Sequence, residues 1–174
     1  MKSMREPTKS LKTVAFFGAI CLFLSTVELM IPKPIPFLRL GLANIPILLA
    51  LYLFSPREFF LLVLLKILGH GLIHGTLFSY IFLFSASGTM VSAAVMFLMY
   101  KTGSKRITLP GISVLGAFTS NIIQLILARF FIFGEGTWLI APPFLIVGLV
   151  SGFLLGVLSE RIYENSEWIG VIRR

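Results

Sequence analysis

The sequence has few charged residues, no aspartate and a single cysteine, and these shortages exclude several kinds of protein. Charged residues make up 13% of the 174 positions, about half the share usual for a soluble domain. An ordinary water-soluble enzyme is therefore excluded. Cys21 lies in an apolar run and, as the one cysteine, cannot form an internal disulfide. The chain also lacks a GxxxxGK[ST] phosphate loop, so ATP hydrolysis would have to come from partner proteins.

Long apolar runs dominate what remains. Hydrophobic residues form 57% of the chain, and the mean hydropathy is +0.96. A helix that spans a bilayer needs about 20 mostly apolar residues, so six would use roughly 120 positions. The composition predicts an all-α membrane protein with six transmembrane helices in one bundle. We expect an N-terminal tail at residues 1–10, a membrane domain at 11–159 and a C-terminal tail at 160–174.

Prolines, glycines and charges set the expected ends of these helices. Prolines at 32, 34 and 36 exclude a helix there, because each removes a donor and favours extended geometry in the residue before it. A second break falls at Ser55-Pro56, and we expect Pro142-Pro143 to start the last helix. The expected helices cover about 11–31, 40–54, 57–75, 82–100, 111–133 and 142–158.

The basic residues indicate which way the bundle faces. Cytoplasmic segments of membrane proteins are enriched in Lys and Arg. With the N-terminus inside, the inner segments hold eleven basic residues and the outer loops hold two, Lys33 and Arg39. We therefore expect both termini to be cytoplasmic. The eleven are Lys2, Arg5, Lys9, Lys12, Arg57, Lys101, Lys105, Arg106, Arg161, Arg173 and Arg174.

Ionisable and amide side chains inside the apolar runs are the candidate ligand-binding residues, because a charge in the bilayer core costs several kcal/mol unless it faces protein or water. Lys66, His70 and His74 recur every four residues and share one helix face. In the expected orientation, the polar positions converge on the outer part of the bundle. The inner halves of the same helices are apolar. This predicts an outward-facing pocket for a small anionic molecule, built from Glu28, Arg39, Asn44, Lys66, His70, His74, Asn121, Gln124 and Arg129.

Each of these positions also has a structural interpretation. Glu28 could pair with Lys66 or Arg129 to hold helices together, and Arg39 could extend to the lipid headgroups. The two histidines could be hydrogen-bonded packing residues. They could share a metal, but no cysteine, aspartate or third histidine is available to complete its ligands. Asn121 and Gln124 could bond between helices without any ligand.

Small residues at helical spacing predict close helix contacts. Ala15 and Ala19 form an AxxxA pattern on the first helix, and Gly148, Gly152 and Gly156 repeat every four residues on the last. Such stripes let helix backbones approach in lipid, where packing drives association. The glycine stripe favours internal packing, whereas the alanine pair fits either internal packing or docking to another protein.

Five segments together resemble the substrate-binding S components of energy-coupling factor (ECF) transporters, in the Gx-type branch often labelled heptaprenyl diphosphate synthase component I. The most specific segment is LRLGLANI at residues 38–45. The others are Glu28 with the proline-rich loop 31–36, LLKILG at 64–69, VLGA at 114–117 and NIIQL at 121–125. Ser120 stands where this family often has a histidine before the asparagine.

The resemblance implies a six-helix, multi-pass protein of a prokaryotic cell membrane that captures a small molecule from outside. It implies partners as well, an ECF T component and ATPase subunits, with Ala15 and Ala19 where S components meet the T component. No cofactor, metal or nucleic acid is expected. Prenyl diphosphate synthases hold magnesium-diphosphate with aspartate-rich motifs, and this chain contains no aspartate.

A second interpretation is therefore a non-catalytic membrane subunit serving isoprenoid or quinone metabolism, or electron transfer. An intramembrane hydrolase is disfavoured, because the serines available as nucleophiles, Ser85, Ser87 and Ser120, have no recognisable catalytic context.

Overall fold

The computed structural model describes residues 7–31, 41–103 and 107–166. Helices make up nearly all of this part of the chain, and no strand occurs in it. The α-helices are α1 (Pro7–Met30), α2 (Ile45–Leu53), α3 (Pro56–Ile73), α4 (Tyr80–Thr102), α5 (Leu109–Ala128) and α6 (Thr137–Asn165). A 3-10 turn at Leu42–Asn44 leads into α2. A π turn at Arg129–Phe133 and a 3-10 turn at Gly134–Gly136 join α5 to α6.

Local chemistry explains where several helices begin. Ser55 and Glu58 form a reciprocal capping box at the start of α3, in which Glu58 Oε2 accepts from the Ser55 amide at 2.7 Å. Pro56 then occupies the first turn, where a missing N–H costs no hydrogen bond. Ser79 and Thr108 cap α4 and α5 through their side-chain oxygens.

The last helix differs from the expectation at both ends. Pro142 and Pro143 lie inside α6 rather than at its start, and α6 continues beyond residue 159 as far as Asn165. The bonds that these prolines remove would reach the carbonyls of Trp138 and Leu139, so the interruption is confined to the start of the helix. The polar segment after residue 160 is therefore a continuation of α6 over its described residues.

Three stretches of the described chain are long and apolar enough to cross a membrane: Leu11–Glu28 in α1, Tyr80–Thr102 in α4 and the combined α5–α6 stretch Leu109–Asn165. By contrast, α2 has nine residues, which rise only about 14 Å at 1.5 Å per residue. Helix α3 has 18 residues but carries Arg57, Glu58 and Lys66. The structure thus shows an all-helical chain with three candidate membrane-spanning stretches.

Neighbouring helices pack through small residues and serine hydroxyls. Helices α1 and α3 run parallel, with Gly18 facing Leu65 and Leu22 packing at Gly69. Helices α4 and α5 run antiparallel, and so do α5 and α6, whose close contact lies along the glycine stripe. At Gly156, an added Cβ would lie 2.5 Å from the Pro110 Cα. The stripe is therefore internal packing, one of the expected roles.

The end of the bundle that contains the beginnings of α1 and α3 is filled with aromatic and aliphatic side chains. The Phe17 and Phe54 rings meet edge to face at 5.1 Å, and Phe59 stacks on Phe97 at 5.6 Å. Tyr52 completes this end with two tyrosine neighbours, Tyr100 at 4.9 Å and Tyr163 at 4.8 Å. This end is therefore largely apolar, although Ser159 and Ser113 are also buried near it.

Candidate functional site

Glu28 binds the backbone that leads into α2. Glu28 is 7% exposed, and its Oε2 accepts from the amides of Gly41 at 3.1 Å and Leu42 at 3.0 Å. A buried carboxylate needs such donors, because without them its burial would be very costly. Gly41 has a φ of 84°, a left-handed conformation that glycine adopts without strain. Glu28 thus fixes the chain immediately before Asn44.

Lys66 reaches the same segment from α3. Its half-buried ammonium donates a hydrogen bond to Asn44 Oδ1. An amide whose oxygen is held in this way turns its NH₂ group to the opposite side. That side is next to Gly41, where an added Cβ would lie 2.8 Å from Asn44 Nδ2. Lys66 therefore sets the orientation of the Asn44 amide.

A cavity of about 50 Å³ lies between this segment and helices α4, α5 and α6. It sits near the middle of these helices rather than at one end. Its volume is enough for water or for one polar group of a larger ligand. Three of the predicted residues line it together with four serines: Asn44, Asn121 and Gln124, with Ser92, Ser113, Ser120 and Ser151.

The two amides on α5 each use one donor within the protein. Asn121 Nδ2 donates to the Phe144 carbonyl on α6 at 3.3 Å, and Gln124 Nε2 donates to Ser120 Oγ at 2.9 Å. Both side chains are 9% exposed. The amide oxygens keep their capacity to accept hydrogen bonds. The interhelical bond that we considered for Asn121 is present. It uses the NH₂ group of Asn121, so the amide oxygen of this cavity-lining residue can still accept a hydrogen bond.

Two glycines allow α5 to lie close to its neighbours at these amides. A Cβ on Gly88 of α4 would lie 3.0 Å from Ser120 Oγ and 3.1 Å from Gln124 Nε2. A Cβ on Gly148 of α6 would overlap the Asn121 amide. Larger residues at either position would push the helices apart, so the glycines bring the amides into the wall of the cavity.

None of the four cavity serines was predicted to bind a ligand, and Ser120 was considered only as a nucleophile and for its place in the family pattern. Ser92 Oγ donates to the Gly116 carbonyl at 2.8 Å, and Ser113 Oγ donates to the Gly152 carbonyl at 2.7 Å. A signal for them exists in the sequence. Ser113, Gly116 and Ser120 recur at i, i+3 and i+7, on one face of α5 that continues to Gln124.

The two histidines lie one and two turns beyond Lys66 on α3, outside the cavity wall. Their ring centroids are 3.9 Å apart, and His74 Nδ1 lies 2.9 Å from the His70 carbonyl oxygen. Both are half-buried at the end of the helix. Within the described ranges, no three His, Cys, Asp or Glu side chains are grouped closely enough to hold a metal ion.

Arg129 lies apart from the cavity, on the turn after α5. Its guanidinium is 2.5 Å from Glu135 Oε1, and the two side chains are 42% and 79% exposed. It also lies 5.4 Å from the centre of the Trp138 ring. Arg129 therefore pairs with Glu135 and not with Glu28, because the turn after α5 brings Glu135, six residues later in the chain, close to Arg129. Arg39 lies outside the described residues.

The structure thus brings together only part of the predicted set. Asn44, Asn121 and Gln124 share one cavity, Lys66 binds Asn44, and Glu28 holds the adjoining backbone. The histidines and Arg129 lie elsewhere. On α1, Ala15 and Ala19 are exposed and face away from the core.

A family model described as heptaprenyl diphosphate synthase component I matches residues 17–162. The chain belongs to this family. The match runs from α1 to the last turns of α6 and includes every residue of the cavity wall. The family name implies a partner component in the synthase. No curated protein and no solved structure gives a significant match to the chain.

Proposed function

We propose that this family member is the membrane-embedded substrate-binding component of an ECF-type importer, which captures a small anionic molecule. The observation that supports it is the meeting of Asn44, Asn121 and Gln124 at one cavity inside an apolar bundle. Buried polar groups in a membrane helix are costly and mark binding sites by default.

The chemistry of the cavity fits a polar, hydrogen-bonding ligand. Asn44 presents an NH₂ donor, and the α5 amides present acceptors. The Lys66 ammonium lies directly behind Asn44, and its charge favours an anionic group on the ligand. Because the cavity is small, a whole ligand requires the helices that line it to move apart. We propose Arg39 as a further contact, from the segment before Gly41.

The proposal includes a topology and partners. Six crossings with both termini in the cytoplasm agree with the excess of basic residues on one side. The exposed Ala15 and Ala19 offer a small-residue surface on α1 for the T component of the importer. ATPase subunits would supply the energy, and the chain itself would not be an enzyme. The cell membrane of a prokaryote is the proposed location.

Coexpression tests this proposal directly. The full chain is produced with a T component and the two ATPases from a prokaryote, purified through a tag on the chain, and analysed by mass spectrometry for bound small molecules. We expect all three partners and one small molecule to copurify. Gln124→Leu should remove the small molecule and keep the partners, and Thr102→Val at the exposed end of α4 is the control. Copurification of neither partners nor molecule would contradict the proposal.

The family name supports a second candidate, a non-catalytic membrane subunit of heptaprenyl diphosphate synthase. In that case the chain would copurify with a prenyl-transferring subunit, and a prenyl chain or quinone would be extracted from it. Neither result would depend on ATPase subunits. The same purification therefore distinguishes the two candidates.

A further inference from the structure

A crevice of about 310 Å³ lies on the outside of the bundle between α5 and the start of α6, separate from the polar cavity. Its volume is at the lower end of the roughly 300–1,000 Å³ typical of small-molecule sites. Its deeper wall is apolar and includes Leu125, Ala141 and Leu145. Arg129 and Trp138 lie at its rim.

The charged side chains beside the crevice are exposed, whereas Thr137 and the apolar residue Ala141 in its wall are buried. The Glu135 side chain is 79% exposed and that of Arg129 is 42% exposed, and the two form an ion pair. Thr137 is 4% exposed, and Ala141 is 8% exposed. Charged groups, a polar group that can bond an ester, and a hydrocarbon surface are what a phospholipid would contact.

Thr137 provides a second observation that points to a ligand. Its Oγ1 is buried and is the one such side-chain N or O atom without a hydrogen-bond partner among the described residues. A hydroxyl group buried without a partner costs free energy. Thr137 lies in the crevice wall, so a side-chain rotation that turns Oγ1 toward an acceptor in the crevice would remove this cost.

We propose that this crevice binds one phospholipid of the surrounding bilayer, with a zwitterionic amine headgroup. Arg129 would bind the phosphate, Glu135 would bind the ammonium, and Thr137 would donate to an ester carbonyl. The apolar wall would hold part of one acyl chain. Trp138 beside Arg129 suits the boundary between headgroups and hydrocarbon, where tryptophan is enriched.

The charge of the rim selects among lipids. Arg129 and Glu135 together carry no net charge, so the rim offers little attraction to a purely anionic headgroup. A headgroup with a phosphate and an amine matches both side chains, since Arg can contact phosphate through donors that Glu135 does not use. A free fatty acid lacks the amine and the ester carbonyl, and matches only Arg129 and the apolar wall.

Native mass spectrometry of the full chain tests this proposal. The delipidated protein is mixed in detergent with dioleoyl phosphatidylethanolamine, dioleoyl phosphatidylglycerol or oleate at equal concentration. We expect one phosphatidylethanolamine to remain bound, at a higher occupancy than either competitor. Thr137→Val removes only the hydroxyl group and should weaken binding of this lipid about threefold to tenfold, the effect of one lost hydrogen bond.

Further variants separate a lipid site from general attraction to basic residues. Glu135→Gln should reduce the preference for phosphatidylethanolamine over phosphatidylglycerol, because it leaves Arg129 without its anionic neighbour. Arg161→Gln, on the exposed far end of α6, is the matched control and should change nothing. Equal occupancy by all three amphiphiles, or unchanged binding in Thr137→Val and Glu135→Gln, would overturn the proposal. Neither outcome depends on the importer partners.

Discussion

The Lys66 ammonium holds the oxygen of the Asn44 amide, and this single contact decides which side of that amide faces the cavity. With Oδ1 bound to Lys66, the NH₂ group is left on the side of Gly41. A charge on α3 thus controls a donor on the segment before α2, although Lys66 itself lies behind the cavity wall. The contact therefore links the charged side chain on α3 to the cavity-lining segment before α2.

Replacing Lys66 by methionine tests this relationship, because methionine keeps the length of the side chain and removes its charge. A hydrogen bond to a charged group contributes about 1.5–3 kcal/mol, so we expect retention of the copurified small molecule to fall about tenfold to hundredfold. Quantitative mass spectrometry of the released molecule measures this effect. Lys101→Met, at the exposed end of α4, is the control. Undiminished retention in Lys66→Met would exclude Lys66 from the site.

Glu28 has a structural role that predicts a different result. Glu28→Ala leaves the part-buried amides of Gly41 and Leu42 without their acceptor. Each unsatisfied donor costs about 1–3 kcal/mol, so we expect a clear loss of stability. Thermal unfolding in detergent measures it. Glu28→Gln keeps one acceptor oxygen and should lose less. A Glu28→Ala variant as stable as the parent would show that these bonds do not hold the segment.

The close contact of Gly148 with Asn121 predicts non-additive effects. Gly148→Ala places a methyl group against the Asn121 amide, and we expect it to destabilise the bundle by about 1–3 kcal/mol through overpacking. Asn121→Ala makes room for that methyl group, so the double variant should be more stable than the sum of the two single effects predicts. Chemical or thermal unfolding of all four proteins gives the coupling energy.

Gly136→Ala is the control for the Gly148 series. No atom lies within 4 Å of the position of its added Cβ, and Gly136 has a φ of −62° that alanine also adopts. We expect stability to be unchanged or slightly higher. Simple additivity between Gly148→Ala and Asn121→Ala would contradict the packing described here.

Apolar length and small-residue spacing predicted the helical fold well, because both patterns are local. The glycine stripe on α6 is an example, since three glycines four residues apart had to face one neighbour. The prolines at 142 and 143 were expected to start the last helix, but they lie inside it. The free-energy cost of a proline depends on its position in the helix, which the residue type alone does not show.

The site was harder to predict, because it depends on which helices are neighbours. Asn44, Asn121 and Gln124 line one cavity, and their role in ligand binding stays a prediction. Arg129 was grouped with them by depth, but its turn brings Glu135 closer than any other partner. The serines were overlooked because a hydroxyl group can bond within its own helix, and the sequence does not show when it reaches the next one.

The exposed alanines of α1 give a test of the proposed partner surface. Ala15→Leu and Ala19→Leu add bulk on a face that contacts no other described helix, so we expect unfolding temperatures close to that of the parent. In a complex, the same bulk would separate two helices that approach through small residues. We therefore expect the double variant to lose most copurification of the T component and its ATPases while keeping the bound small molecule. Ala94→Leu, on the exposed face of α4, adds equal bulk elsewhere and should copurify normally. If the α1 variant still carried its partners, docking through this face would be ruled out, while the cavity and its ligand would remain to be judged by the Gln124 and Lys66 variants.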